Sequence, residues 1–513
     1  MNKNKLPQIL SVLFYTGIAM FFASTLQAQK ETIIGNVYIV DGTGKAAKKG
    51  AITIKGDKIM AIGGNKISLQ GQTYIDGKGL YLAPGFIDAH SHHLGDLQKN
   101  SAGLSTSNQG ITTIVIGQDG EGYFMDTLEA QMKRIPVAAN VASYAGHSSL
   151  REQVMGENNL FRNATDAELQ KMTVLLNREL ANGALGLSTG LEYEQAFYSN
   201  REEVLTLAKL TASKGGRYIS HIRSEDYKID DAIDEIIQIG KITKMPVQIS
   251  HIKIANKGFW GNAPKVLARL DSARKAGINI TADVYPYTFW NSTIRVLFPK
   301  RDYDNLKSAE EAVNELFDPN ESYIVRYAPH PSYVGKTVTA IAKERNESNA
   351  QALMSLVALA AEFKKQNPNY SEVIEAIAAK SMSDQDLRAF IQWPYSVICS
   401  DGNAGGHPRG YGSFTRVLGK YVREDKSLNL ENAIHKMTLQ TAEYLGIKDR
   451  GVIEVGKKAD LVLFNPATVV DHAKIGDSKA LSTGIEMVWV NGALVYNNKK
   501  ATGKLPGELI KRK

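Results

Sequence analysis

The chain has 513 residues, 43% of them apolar and 22% charged, an ordinary balance for a globular enzyme and enough length for a large catalytic domain plus a smaller one. Its formal charge of +8 is scattered, with no basic run that would track phosphates, so nucleic-acid binding is not expected and the charge reads as a solubility property. Cys399 is the single cysteine, which excludes an intrachain disulfide.

The first residues follow the order of an export signal: Lys3 and Lys5, an apolar stretch over residues 9–23, then Ser24-Thr25-Leu26-Gln27-Ala28. Cleavage after Ala28 is expected, and loss of the two lysines takes the net charge from +8 to +6. The alternative is an uncleaved anchor, but spanning a bilayer needs about 20 apolar residues and this core is shorter. The near-absence of cysteine suits an oxidising bacterial export compartment, so we expect a periplasmic protein with no stable membrane insertion once residues 1–28 are removed.

Residues 29–83 open on β-rich, turn-bounded segments at 32–40 and 51–57, and residues 450–513 return to that style at 459–464 and 487–492. Both ends together predict one small β-sandwich domain. Between them, residues 84–449 alternate strand-like runs with amphipathic helices, the pattern of a parallel sheet. Eight strands are predicted at 85–90, 112–117, 137–144, 184–189, 217–223, 246–253, 278–285 and 396–401. A helix is predicted over Asp166–Ala181, with Thr165 and Glu168 forming a capping box at its start. Eight such units point to a (β/α)8 TIM barrel in an α/β fold. An open doubly wound sheet is the runner-up, and it lacks the Gly-rich phosphate turn after the first strand. The gap at about 290–390 carries helix-like segments at 349–365 and 370–379, which predict a helical insertion over the barrel mouth.

The chemistry concentrates at the predicted C-terminal strand ends, where such barrels carry their active residues. His90 and His92 end the first strand, and residues two apart point to the same side. His221 lies on the fifth strand, His251 on the sixth, and Asp401 ends the eighth. Each alone has an ordinary reading: a core histidine, or an Asp-Gly turn. Together on one face they predict a metal site, since neutral imidazole is the commonest zinc ligand. By the same alternation Arg223 shares the side of His221, and Lys253 that of His251. A cation beside a metal site has a purpose if the substrate carries an anion, and a free carboxylate on a small molecule would be one. Arg223 could equally pair internally with Glu225 or Asp226. His93 is expected to point away from the pair that flanks it.

This pattern resembles the amidohydrolase superfamily: H-x-H on strand one, single histidines on strands five and six, and an Asp on strand eight. Within it, several motifs look like the D-aminoacylases (N-acyl-D-amino-acid deacylases). They are Asn140-Val141-Ala142 with Gly146-His147 and Leu150-Arg151, Gly186-Leu187-Ser188-Thr189-Gly190-Leu191-Glu192-Tyr193, Asp283-Val284-Tyr285-Pro286-Tyr287, and His407-Pro408-Arg409 with Tyr411-Gly412-Ser413-Phe414. The resemblance implies zinc-dependent hydrolysis of the amide of N-acyl-D-amino acids or related D-residue conjugates, with one or two zinc ions. Water bound to such an ion is the nucleophile, and Asp401 is the general base and then acid. It also implies that Lys253, Tyr285, Tyr287 and Arg409 hold the substrate carboxylate. His147 is placed near the site, with a capping or core histidine as the alternative. Two departures stand out. Strand four offers no lysine to bridge two metals, which disfavours a cyclic amidohydrolase of hydantoinase or dihydroorotase type. The cysteine that this family carries after strand two is replaced by Asp119 in Gly117-Gln118-Asp119-Gly120, so Asp119 is expected to be a metal ligand, or else a turn residue. A D-residue dipeptidase and a non-catalytic metal-binding relic are the other readings.

Overall fold

The structure is a computed structural model that describes residues 31–63, 72–403 and 405–513. The export-signal reading at 1–28 lies outside the described residues.

The eight expected strands are present and close into a barrel. In order they are Phe86–Asp88, Ile111–Ile116, Asn140–Ser143 (resuming at Ala145–Gly146), Gly186–Gly190, Arg217–His221, Val247–Ile249, Ile280–Val284 and Ser396–Ile398. Neighbours pair in parallel around the ring. The ring closes beyond the strand ends: Asp401 N–H donates to His90 C=O at 2.8 Å and His92 N–H donates to Gly402 C=O at 3.0 Å. Beneath that seam the fully buried Asp88 carboxylate accepts the Ser400 backbone N–H at 2.7 Å and its hydroxyl at 2.5 Å. The strands are short and buried on both faces, as parallel barrel strands must be. The third strand parts from the fourth near its start, and Leu509–Ile510 fills the gap by pairing in parallel with Val141 and Ala142.

The outer helices bury one face each. Asp166–Ala181 starts with the expected capping box at Thr165 and Glu168 and turns Met172, Leu176 and Leu180 inward. Both chain ends join one sheet, of nine strands among the described residues, in which Tyr81–Pro84 pairs antiparallel with Leu461–Phe464. Asp460 docks this sheet on the barrel. Its buried carboxylate accepts Arg450 Nη1 at 2.6 Å, Asn140 Nδ2 at 3.1 Å and the Asn491 N–H at 2.6 Å. No helix among the described residues is long and apolar enough to cross a membrane.

The inserted segment differs from the expectation of a helical cover. It carries a three-stranded antiparallel sheet, Phe289–Ser292, Glu375–Lys380 and Tyr323–Tyr327, beside helices such as Asn349–Gln366. The stretch 370–379, expected as helix, contains most of the central strand of that sheet. Its alanines favour a helix in isolation, but hydrogen-bonded neighbours on both edges and full burial decide for strand.

Two ion pairs at the sheet–barrel junction should separate in unfolding experiments. Asp460→Ala leaves Arg450 its contacts with Asp449 and Glu508 but takes the buried acceptor from Arg450 Nη1, Asn140 Nδ2 and the Asn491 N–H, and should cost about 2–3 kcal/mol. Asp57→Ala removes a partner that is 46% exposed from Lys458, and should cost at most about 1 kcal/mol. Equal denaturant midpoints for the two variants would contradict the docking role of Asp460.

Candidate metal centre

The ionisable side chains converge where the barrel strands end. His90 and His92 follow strand one, Asp119 follows strand two, His221 closes strand five, His251 follows strand six and Asp401 follows strand eight. Their ligand atoms form two groups that share Asp119. In the first, His90 Nε2 lies 3.3 Å from His92 Nε2, and both nitrogens lie 3.4 Å from Asp119 Oδ2. Asp401 Oδ1 is 3.5 Å from His90 Nε2 and 3.3 Å from His92 Nε2. In the second, His221 Nδ1 is 3.0 Å from His251 Nε2, and Asp119 Oδ1 is 3.3 Å from His251 Nε2 and 4.0 Å from His221 Nδ1. Asp119 therefore turns one oxygen to each histidine pair.

These spacings fit a divalent cation. A tetrahedral zinc with ligands at about 2.0–2.1 Å has ligand–ligand edges of about 3.3–3.4 Å. The five edges of the first group run from 3.3 to 3.5 Å. Buried Asp119 Oδ1 has no hydrogen-bond partner, so an oxygen that would otherwise carry an uncompensated desolvation cost is aimed at the second pair. Imidazole nitrogen with carboxylate oxygen suits zinc and neighbouring first-row divalent ions.

The backbone is bent to make this convergence. Asp119, His251 and Asp401 all have left-handed φ, at 58°, 33° and 48°. Such a conformation costs a non-glycine residue of order 1–2 kcal/mol. Hydrogen bonds hold it: His251 N–H donates to Asp283 Oδ1 at 2.7 Å, and Asp401 N–H to His90 C=O. Asp119 is seated by Gly190, where a Cβ would stand 2.0 Å from the Asp119 carbonyl oxygen.

Electrostatics couple the cluster. Burial alone would strip the proton from His251, and Lys253 acts in the same direction, but Glu225, Asp119 and Asp401 outweigh both and raise it to about 9. The same contest raises His90 and His92. Burial would push the Asp401 carboxyl up, yet the Arg409 guanidinium and the His251 and His90 rings hold it well below the usual carboxylate range.

The expected substrate residues divide. Arg409 reaches Asp401 Oδ2 at 2.5 Å and lies 4.8 Å over the Tyr285 ring. Lys253 lies beside His251, its Nζ 2.7 Å from Nδ1, but its ammonium is held by the Glu225 carboxylate at 2.6 and 2.7 Å. Two expected contacts are corrected, those of Arg223 and Tyr287, and His147 takes its alternative reading as a buried core histidine. Arg223 is bidentate on Glu235, with both bonds at 2.8 Å, away from the cluster. Strand five ends at His221, so the alternation that put Arg223 beside it no longer applies. Tyr287 lies beyond the end of strand seven and donates its hydroxyl to Asp471 at 3.1 Å. His147 begins a helix and pairs with Glu203 at 2.7 Å in a buried network with Arg151. Glu225 and Asp283 were not singled out. Their signal was positional, four residues after His221 and two before Tyr285.

Two connected spaces meet at the cluster. A small pocket is lined by His221, His251 and Lys253 together with Trp290, Val296, Leu297 and Leu316. A cleft of about 560 Å³ opens outward past His92, Asp119, Asp401 and Arg409. Inserted-segment residues such as Glu375 form its outer wall.

Ligand nitrogens must shed their protons to bind a cation, and these histidines hold protons above their usual range. Zinc affinity, read by competition with a chromophoric chelator, should rise by about tenfold or more per pH unit between about pH 6 and about pH 8. A flat profile would contradict this coupling.

Comparison with known proteins agrees with this geometry. The chain is 31% identical to N-acyl-D-glutamate deacylase of Alcaligenes xylosoxydans xylosoxydans, over 95% of this chain and 98% of the relative. It is 30% identical to D-aminoacylase of the same organism, over 92% and 96%. Among solved structures it superposes on N-acyl-D-glutamate deacylase of Bordetella bronchiseptica, complexed with zinc and a phosphonate inhibitor that mimics the tetrahedral intermediate. The TM-score is 0.82 at 29% identity, over 94% of this chain and 100% of that one. A family model described as amidohydrolase family matches residues 73–496, and with these relatives spanning nearly its whole length the chain belongs to the amidohydrolase family.

Proposed function

We propose that this protein hydrolyses the amide bond of N-acyl-D-amino acids with zinc as its cofactor, which the two histidine pairs flanking Asp119 would hold. The observation that carries the reading is the double cluster, in which two histidine pairs share one carboxylate and Asp401 stands beside Arg409. Preference for the D-isomer is taken from the activities of the relatives.

The chemistry a divalent ion supplies in such a cluster is Lewis acidity, which acidifies water and polarises an amide carbonyl. The remaining work falls to the side chains. Asp401 accepts the proton of the attacking water on its carboxylate and returns it to the amide nitrogen, so that the amine departs neutral. Arg409 keeps Asp401 ionised beforehand and stands where it can hold the substrate carboxylate. The neutralised Lys253–Glu225 pair supplies polar lining of the inner pocket and Trp290, Val296, Leu297 and Leu316 its apolar lining, while buried Tyr285 supports Lys253 and Arg409 with its ring and turns its hydroxyl to Met382. The amino-acid half of the substrate sits in this small inner pocket and the acyl half in the wider cleft. Residues 1–28 direct the chain to a bacterial periplasm. The mature protein divides into a β-domain of 29–83 plus 450–513 and a barrel of 84–449. The cyclic-amide reading is weaker, because strand four, Gly186–Gly190, carries no lysine.

A panel of N-acetyl-D and N-acetyl-L amino acids, run on the zinc-loaded protein, should show turnover of D-isomers with little of L. Asp401→Asn should lower kcat by about 10²-fold or more. Turnover of L-isomers alone, or near-parental kcat in Asp401→Asn, would overturn the reading or its choice of base respectively.

A further inference from the structure

Strand four contributes no metal ligand, yet the loop that follows it reaches the cluster. Gly190, its last residue, is in register with His221 on strand five. The chain then turns, and Glu192 comes level with the far side of the His221 ring. His221 Nε2 lies 2.9 Å from Glu192 Oε2. Both side chains are almost fully buried, at 4% and 10% exposure. The opposite nitrogen, Nδ1, faces His251 Nε2 and Asp119 Oδ1. Tyr193, the next residue, lays its ring 4.4 Å from that of His221 and limits its rotation.

We infer that Glu192 is a positioning residue for the metal centre: it holds the Nε2 proton of His221, which leaves the Nδ1 lone pair directed at the ion beside Asp119 and His251. Neutral imidazole carries one proton, so fixing it on Nε2 decides the tautomer. A carboxylate behind a ligating histidine also raises the basicity of the coordinating nitrogen, and losing such a partner weakens metal binding by about 10–100-fold. The other histidines have their own partners, Asp283 at 3.6 Å from His90 Nδ1 and Glu225 at 3.0 Å from His251 Nδ1. Only His221 depends on Glu192 at hydrogen-bond distance; Glu225 Oε2 lies 3.8 Å from the same nitrogen. This inference rests on the zinc reading of the cluster and adds to it the residue that orders one half.

The test is zinc binding to the full chain, measured by chelator competition, for the parent, Glu192→Gln and Glu192→Leu. Gln keeps an acceptor for Nε2–H but loses the charge, and should weaken one zinc equivalent by about tenfold. Leu removes the acceptor, and should weaken the same equivalent by up to about 100-fold. The equivalent held by His90 and His92 should keep its affinity in both. Thermal unfolding of the metal-free proteins reports any purely structural loss, and it should change far less for Gln than for Leu. Parent-like zinc affinities in both variants would overturn the positioning role. So would a variant in which both equivalents weaken alike, or one in which a third equivalent disappears, since Glu192 would then be a ligand with Glu225. A parent that binds no zinc would overturn the metal-centre reading itself, and this inference with it.

Discussion

The Asp119 carboxylate faces two pairs of imidazoles, and the form of the site follows from that sharing. One oxygen lies 3.4 Å from His90 and His92, and the other lies 3.3 and 4.0 Å from His251 and His221. Four histidines on three separate strands converge on it only because the barrel brings all strand ends to one rim. With Asp119 and Asp401 they make six close ionisable groups, all but His92 buried, and such a set without a cation would be a poor arrangement in a low-dielectric interior. Their spacing instead matches the coordination edges of zinc on the side of His90 and His92.

Order at this rim comes from contacts within the chain itself. Three cluster residues adopt left-handed backbone, each at of order 1–2 kcal/mol, a conformation held by buried hydrogen bonds from neighbouring strand ends. The Asp88–Ser400 contact and the seam between His90 and Asp401 fix strand one against strand eight directly below the first histidine pair. Around the ring, each ligating histidine but His92 has a carboxylate near its second nitrogen. The scaffold therefore sets ring orientation as well as position, as preorganised catalysis requires.

Much of this was legible in the sequence where a local rule operates. Alternation placed His90 with His92, where Ser91 is still bridged to Gly402 just past strand one, and the order of strands and helices gave the barrel. Past a strand end the rule no longer dictates direction: Lys253 still meets His251 beyond strand six, although His251 has left-handed backbone, but two other residues do not follow it. Arg223 and Tyr287 lie past the ends of strands five and seven, and their side chains turn to Glu235 and Asp471. Lys253 points as expected, yet Glu225 from a neighbouring strand end neutralises it. That pairing depends on a contact between loops and has no periodic signature. The alanine-rich 370–379 stretch shows the same limit, since hydrogen bonding from both flanking strands overrides its helical propensity. Asp119 was visible as a residue in a family cysteine's place, but its two-sided contact needed coordinates.

The central claim is that Asp119 joins two ions, and diffraction from zinc-loaded crystals at the zinc absorption edge tests it most directly. The account predicts two anomalous peaks, one between His90 and His92 and one between His221 and His251. Each should lie about 2.0–2.2 Å from a different oxygen of Asp119. A single peak, or two peaks with Asp119 turned away from both, would contradict it.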